Sequence, residues 1–131
     1  MTVRARLDTK GFSEYLEKLV QAGKNVDQAA AAALEAGGDV LLKGMQRRVP
    51  KDTGNLESHL ERTEPEQDGN YIFVMVGLSK NADARTARYA VAQEYGTSSM
   101  TAQPYIRPTL DSDMGAARKA MRVVLEEKGT L

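Results

Sequence analysis

His59 is the only histidine in the chain, and its side chain alone changes charge near neutral pH without perturbation. Glu57 or Glu61, two residues away on either side, could orient it as a general base. If residues 56–63 alternate as a strand, His59 shares the polar face with both glutamates, which describes a solvated surface histidine instead. A second arrangement pairs Glu94 with Asp111 or Asp113, carboxylates that could hold a divalent cation or run acid–base hydrolysis if folding brought them together. Their spacing does not fix that separation, and helix caps and surface charges account for the same residues. One histidine and no cysteine exclude a histidine-based metal cluster, a disulfide framework and thiolate chemistry. Gly37-Gly38 and Gly96-Thr97 lack the glycine spacing and lysine of a phosphate cradle. No catalytic residue, metal or cofactor is expected.

Two basic groups could touch phosphates: Arg47, Arg48 and Lys51, then Lys80, Arg85 and Arg88. The first group also complements the dipole at a helix C-terminus, and the second suits a solvated loop. Bulk charge favours the second view of both. The 18 basic and 18 acidic residues cancel, with 10 of each up to Pro65 and 8 of each after it, so no long-range field gathers nucleic acid or anionic lipid. Met1 to Arg6 leads into no apolar stretch of secretory type, and no run approaches the roughly 18 apolar residues of a membrane span. A soluble protein is expected, and 131 residues suit one domain over 1–131.

The elements that must position these groups read as follows. Thr2 to Leu7 alternates like a short strand, and Tyr15, Leu16, Leu19 and Val20 mark a helix over Glu14 to Ala22. Val26, Ala30, Ala33, Leu34, Gly37, Leu41 and Met45 then repeat at helical spacing, with so little bulk in the middle that close packing follows. Val49-Pro50 ends this long helix, because the residue before proline leaves the α region. Asp52 and Gly54 suit a turn, the former through its side chain and the latter through a positive φ. Leu56 to Thr63 reads as extended, Glu66 to Asn70 as a polar turn, and Tyr71 to Leu78 as the strongest strand, giving an antiparallel pair joined at Gly69. Ser79 to Arg85 reads as a mobile loop, and Arg88 to Tyr95 as either strand or short helix. Ser98 to Pro108 reads as an extended connection before a helix over Thr109 to Glu127. The fold class is α+β, a small antiparallel sheet packed against a long helix of the N-terminal half and a C-terminal helix.

Two segments exceed what a plain globular domain needs: Pro50 to Ser58 and Glu94 to Pro108. Tyr95, Met100, Pro104, Tyr105 and Ile106 are large apolar groups on a stretch without period, so they either cap the core or sit in a subunit interface. Arg107 adds another residue type common at interfaces.

At these segments the chain resembles the phage minor tail or tail-component proteins encoded between the head-joining and tail-tube genes of lambda-like siphophages. Val49-Pro50-Lys51-Asp52-Thr53-Gly54-Asn55-Leu56-Glu57-Ser58 is similar to that family's proline, Thr-Gly, Leu and Ser pattern after a long helix. Glu94-Tyr95-Gly96-Thr97, followed by Pro104-Tyr105-Ile106-Arg107-Pro108, is similar to its Glu-aromatic-Gly-Thr and Pro-aromatic-x-x-Pro patterns. Order and spacing agree from about Gly11 to Leu125. Thr109 departs from the family, which often has Ala there, and the charged stretch from Lys80 to Arg88 does not align.

The resemblance implies a non-enzymatic virion protein, made in the host bacterial cytoplasm and placed at the neck or head-proximal end of the tail. Its expected partners are copies of itself in a ring, hexameric at family level, a head-connector or head-closure protein, and a tail-tube or tail-terminator protein. Weak contact with DNA in transit and no membrane complete that list. Pro50, Asp52, Thr53, Gly54, Leu56, Glu94, Tyr95, Gly96, Thr97, Pro104, Tyr105, Arg107 and Pro108 would set turn and interface geometry. A tail terminator that stops tube growth is the nearest alternative, ahead of a small hydrolase or a nucleic-acid-binding module.

Overall fold

The computed structural model describes residues 3–51 and 54–129. Thr2 of the expected first strand, and Asp52 and Thr53 of the expected turn, lie outside them. The chain begins with strand β1 (Arg4–Asp8), a 3-10 turn (Lys10–Phe12), α1 (Ser13–Gln21) and α2 (Val26–Arg48). Next come the one-turn helix α3 (Asn55–Ser58) and strands β2 (Leu60–Arg62), β3 (Glu66–Asp68) and β4 (Tyr71–Leu78). Helices α4 (Ala84–Tyr95) and α5 (Ile106–Gly129) close the order. This is the expected α+β class, a small antiparallel sheet with two long helices.

β4 is the sheet's central strand, pairing antiparallel with β1 on one side and with β2 and β3 on the other. Its apolar alternation puts Val74, Val76 and Leu78 on one face, opposite Leu7, Ala5 and Leu60. All six are buried. On the other face Arg6 lies 4.3 Å from the Phe73 ring centroid and Lys10 5.4 Å from that of Tyr71, so cationic side chains roof the aromatic groups. Between β2 and β3 the register slips: Arg62 pairs with Val76 but Glu66 with Phe73, so Thr63, Glu64 and Pro65 oppose only Val74 and Met75. This bulge accommodates proline, which cannot donate to a ladder. The Thr63 hydroxyl accepts from the Met75 N–H at 2.8 Å and keeps that donor satisfied.

The stretch expected to be extended from Leu56 to Thr63 is therefore part helix. Gly54 turns the chain at φ 74°, α3 forms one turn that buries Leu56, and pairing starts only at Leu60. Leu56 and Leu60 serve both elements, because four-residue spacing also fits alternation. The polar run from Glu66 likewise enters the sheet as β3, and only Gly69 and Asn70 turn.

α2 is the scaffold. Asn25 caps it by accepting from the Gln28 N–H at 3.0 Å, and Val49, extended before Pro50, ends it. Gly37, Gly38 and Gly44 occur inside it although each interior glycine costs a helix about 1 kcal/mol against alanine. The offset is proximity. A Cβ at Gly37 would sit 2.7 Å from Met121, at Gly38 2.7 Å from Arg62, and at Gly44 2.8 Å from Thr109. α2 thereby lies against both the sheet and α5, and its contact with α5 is the most extensive in the chain.

The C-terminal end of α2 is tied to α5 by charge. Asp113 accepts from Arg48 at 2.7 Å and from Arg47 at 3.1 Å, and Arg48 also reaches the Gly44 carbonyl and the Thr109 hydroxyl, each at 3.2 Å. The Arg48 hydrogen bond and the charges of both arginines hold the Asp113 carboxyl below the usual carboxylate range. A depressed acid contributes stability above its unfolded pKa and loses it as pH falls through the folded value. Asp113→Asn should thus lose less Tm than the wild type between about pH 5 and pH 2. Gly44→Ala should cost about 1–3 kcal/mol through overpacking. Gly11→Ala, where a Cβ meets nothing within 4 Å, should stay within about 0.5 kcal/mol, both glycine variants being measured by urea titration.

Candidate functional site

The segment from Arg88 to Tyr95 is helical because α4 has a capped start. Asp83 precedes it in extended conformation and accepts from the Thr86 N–H at 2.7 Å. That bond and the Thr86 side chain draw the Asp83 carboxyl below its ordinary value. The expected loop therefore stops at Asp83, and Arg85 and Arg88 are helical. Gly96, at φ 77°, ends α4, where a Cβ would approach the Ala102 nitrogen at 3.0 Å and the Met100 oxygen at 3.1 Å.

Glu94 lies in the last turn of α4, buried at 5 % exposure. Its Oε1 accepts from the N–H groups of Tyr105 at 2.9 Å and Ile106 at 2.8 Å, and its Oε2 from that of Arg107 at 3.1 Å. These donors belong to the start of α5, where a helix has no intrahelical acceptors and favours negative charge. Pro108 follows in the first turn, where a missing N–H costs nothing. α5 therefore begins at Ile106, earlier than the expected Thr109, because a carboxylate from another helix caps it.

The residues around this cap fix it in place. Tyr105 is fully buried and donates its hydroxyl to the Ala90 carbonyl at 3.2 Å; burial, then the neighbouring Glu94 charge, raises that hydroxyl's pKa. Thr109 donates to the Tyr105 carbonyl at 2.6 Å and accepts from Arg48, so the departure from alanine joins α5 to α2. The Gln103 N–H bonds the Gln93 carbonyl at 2.7 Å.

Between Gly96 and Gln103 the chain makes a small tongue. Thr97 and Met100 exchange backbone hydrogen bonds of 2.9 and 3.3 Å across Ser98-Ser99, and the Thr97 hydroxyl accepts from the Ser99 N–H. Met100 is 36 % and Tyr95 42 % exposed. Beside the tongue, Ala87, Val91 and Ala92 floor a shallow apolar depression of about 320 Å³ rimmed by Arg88 and Thr97. The two sequence alternatives thus divide by residue: Tyr105 and Ile106 close the core, while Tyr95, Met100 and Pro104 face outward.

The two motif segments meet through α4. Asn55, one residue past Gly54, donates its side chain to the Thr86 hydroxyl at 2.7 Å, so the turn after α2 is fastened to the helix that carries Glu94. Pro50 is half-buried after α2 and Leu56 is in the core. The partnership of Asn55 and Thr86 is not foreseeable from either motif alone; the only cue is the Asp83-to-Thr86 spacing of a helix cap.

The chemical alternatives are not assembled. Glu94 caps α5 while Asp113 is held by Arg47 and Arg48, so they form no shared site. Glu57 pairs with Lys51 at 2.6 Å. His59, at the C-terminal end of α3 rather than on a strand, has Nδ1 2.7 Å from the Asn55 carbonyl. It is half-buried, which corrects its reading as a solvated strand residue. No group of metal-ligating side chains occurs among the described residues. The first basic group is engaged in ion pairs, through Arg47, Arg48 and Lys51.

Removing the cap strands three backbone donors in poorly hydrated surroundings. Glu94→Ala should cost about 3–5 kcal/mol, read as a lower urea midpoint, and should speed amide exchange at Tyr105 to Arg107. Wild-type stability in this variant would show that the three hydrogen bonds do not matter.

Comparison with protein families gives a match over residues 10–96 to the HK97-gp10-like bacteriophage tail components. The match covers more than half of the chain, takes in the turn after α2 and ends at Gly96, just past Glu94. No curated protein and no solved structure matches the chain. With its long helix, turn and Glu94 anchor inside the matched region, the chain belongs to the HK97-gp10-like family of bacteriophage tail components.

Proposed function

We propose that the chain acts as a single neck or tail-completion domain that joins the head connector to the tail tube, assembled as a ring and without enzymatic activity. The observation that carries this reading is the segment Glu94 to Pro108: its base is fixed by buried hydrogen bonds while Tyr95 and Met100 face outward. A surface ordered before it meets its partner avoids part of the entropy cost of binding. In a ring, each copy presents two different surfaces, one to each neighbour, and closes by rotation. Sixfold closure comes from the resemblance. Pro50 and Gly54, with Asp52 and Thr53 between them, would shape the adjoining loop, and Pro104, Arg107 and Pro108 the rim of the outward surface. Weak contact with DNA would fall to Lys80, Arg85 and Arg88, all exposed.

Deleting the coding sequence from the phage genome and viewing the lysate by electron microscopy tests the role. Filled heads beside separate tails, with infectivity restored by purified protein, is the expected result. Tails of abnormal length would assign the terminator role instead, and normally joined particles would reject both. Met100→Asp should fold with unchanged Tm yet fail to restore infectivity; full restoration would leave the joining role standing and remove the tongue from the interface.

A further inference from the structure

On the far side of the molecule from the sheet's β2–β3 edge, β1, the 3-10 turn and α5 enclose a cleft of about 280 Å³. Its floor is apolar: Leu7 and Met121 are buried there, and Phe12 and Met114 are half-buried. Its rim is cationic, with Arg6, Arg118 and Arg122 all exposed. Arg118 and Arg122 stand one helical turn apart on α5, a like-charge spacing that disfavours the helix. Neither has an ion-pair partner among the described residues. Glu126, one turn beyond Arg122, makes no ion pair with it among the described residues; burial, then the Glu126 charge, raises the pKa of the Tyr15 hydroxyl, and Arg122 opposes that rise. Asp8, the acid of the cleft, is occupied by Arg6 at 3.4 Å and the Lys10 N–H at 3.1 Å.

We propose that this cleft binds an acidic segment of a neighbouring virion protein, with an apolar side chain on the floor and carboxylates on Arg118 and Arg122. Guanidinium forks match carboxylates bidentately, and an uncompensated pair of them beside an apolar floor complements a segment that carries both features. Nucleic acid fits less well. A phosphate backbone uses only the cations and leaves the apolar lining of Leu7, Phe12, Met114 and Met121 idle. The inference rests on the reading of the chain as an assembly component, and the surface is separate from the tongue at Met100.

The test is charge reversal in the phage. Arg118→Glu with Arg122→Glu should leave Tm unchanged and lower plating by about a hundredfold or more, since two attractive contacts become like-charge ones. Arg118→Gln with Arg122→Gln, which removes charge without adding any, checks the result should the first variant fold poorly. Suppressors selected from the defective phage should change an acid to Lys or Arg in another virion gene. Normal plating of a folded variant overturns the proposal, as do suppressors confined to this chain, which would make a second copy the occupant. A 20-base-pair duplex that binds the wild type but not the variant at physiological salt would make nucleic acid the occupant. If the deleted phage itself forms normal particles, the joining role falls; if only the charge-reversed phage does, this cleft alone is wrong.

Discussion

One carboxylate decides the shape of the C-terminal half. Glu94, at the end of α4, takes the first free N–H groups of α5, and no serine, aspartate or asparagine stands where a local cap would. The helix start is thus fixed by a residue more than ten positions earlier in the chain. This arrangement closes the intervening stretch into a loop whose two ends are bound to the same pair of helices. Because the ends are fixed, the loop can show apolar side chains to solvent without collapsing onto the core, and the tongue at Met100 is the result.

The remainder of the architecture follows from how little α2 occupies. Gly37, Gly38 and Gly44 leave room for Met121, Arg62 and Thr109 to approach the helix backbone. α2 can then serve two layers at once, sheet and helix, which a leucine-rich helix of the same length would hold further apart. Polar groups follow the same economy of space: Thr109 and Arg48 bond across the closest approach rather than leaving buried donors idle.

Much of this was legible from the residues. Alternation along Tyr71 to Leu78 and the helical spacing from Val26 to Met45 reflect burial on one face, a property that sequence carries directly. Arg88 to Tyr95 remained ambiguous because Tyr, Val and Ala at those positions serve strand and helix alike; the capping bond from Asp83 to Thr86 decides it. Leu56 to Thr63 misled because Leu56 and Leu60 satisfy two periods, and only tertiary pairing with β4 shows where the strand begins. The site was half legible. Glu94 stood out as a residue of consequence, but a carboxylate that could coordinate a cation and one that caps a helix look the same until its donors are in place. The link from Asn55 to Thr86 left no local trace.

The bulge at Thr63 to Pro65 bears on how copies of the chain can meet. Unpaired strands at a sheet edge invite other strands and so seed fibres. The β2–β3 edge is interrupted by a proline and carries Glu64, Glu66 and Asp68 on its outer stretch, so a passing strand finds neither a continuous row of donors nor a neutral approach. Backbone zippering is closed on that side, so whatever meets this edge meets it through side chains, contacts that dissociate and realign where fibrils would not.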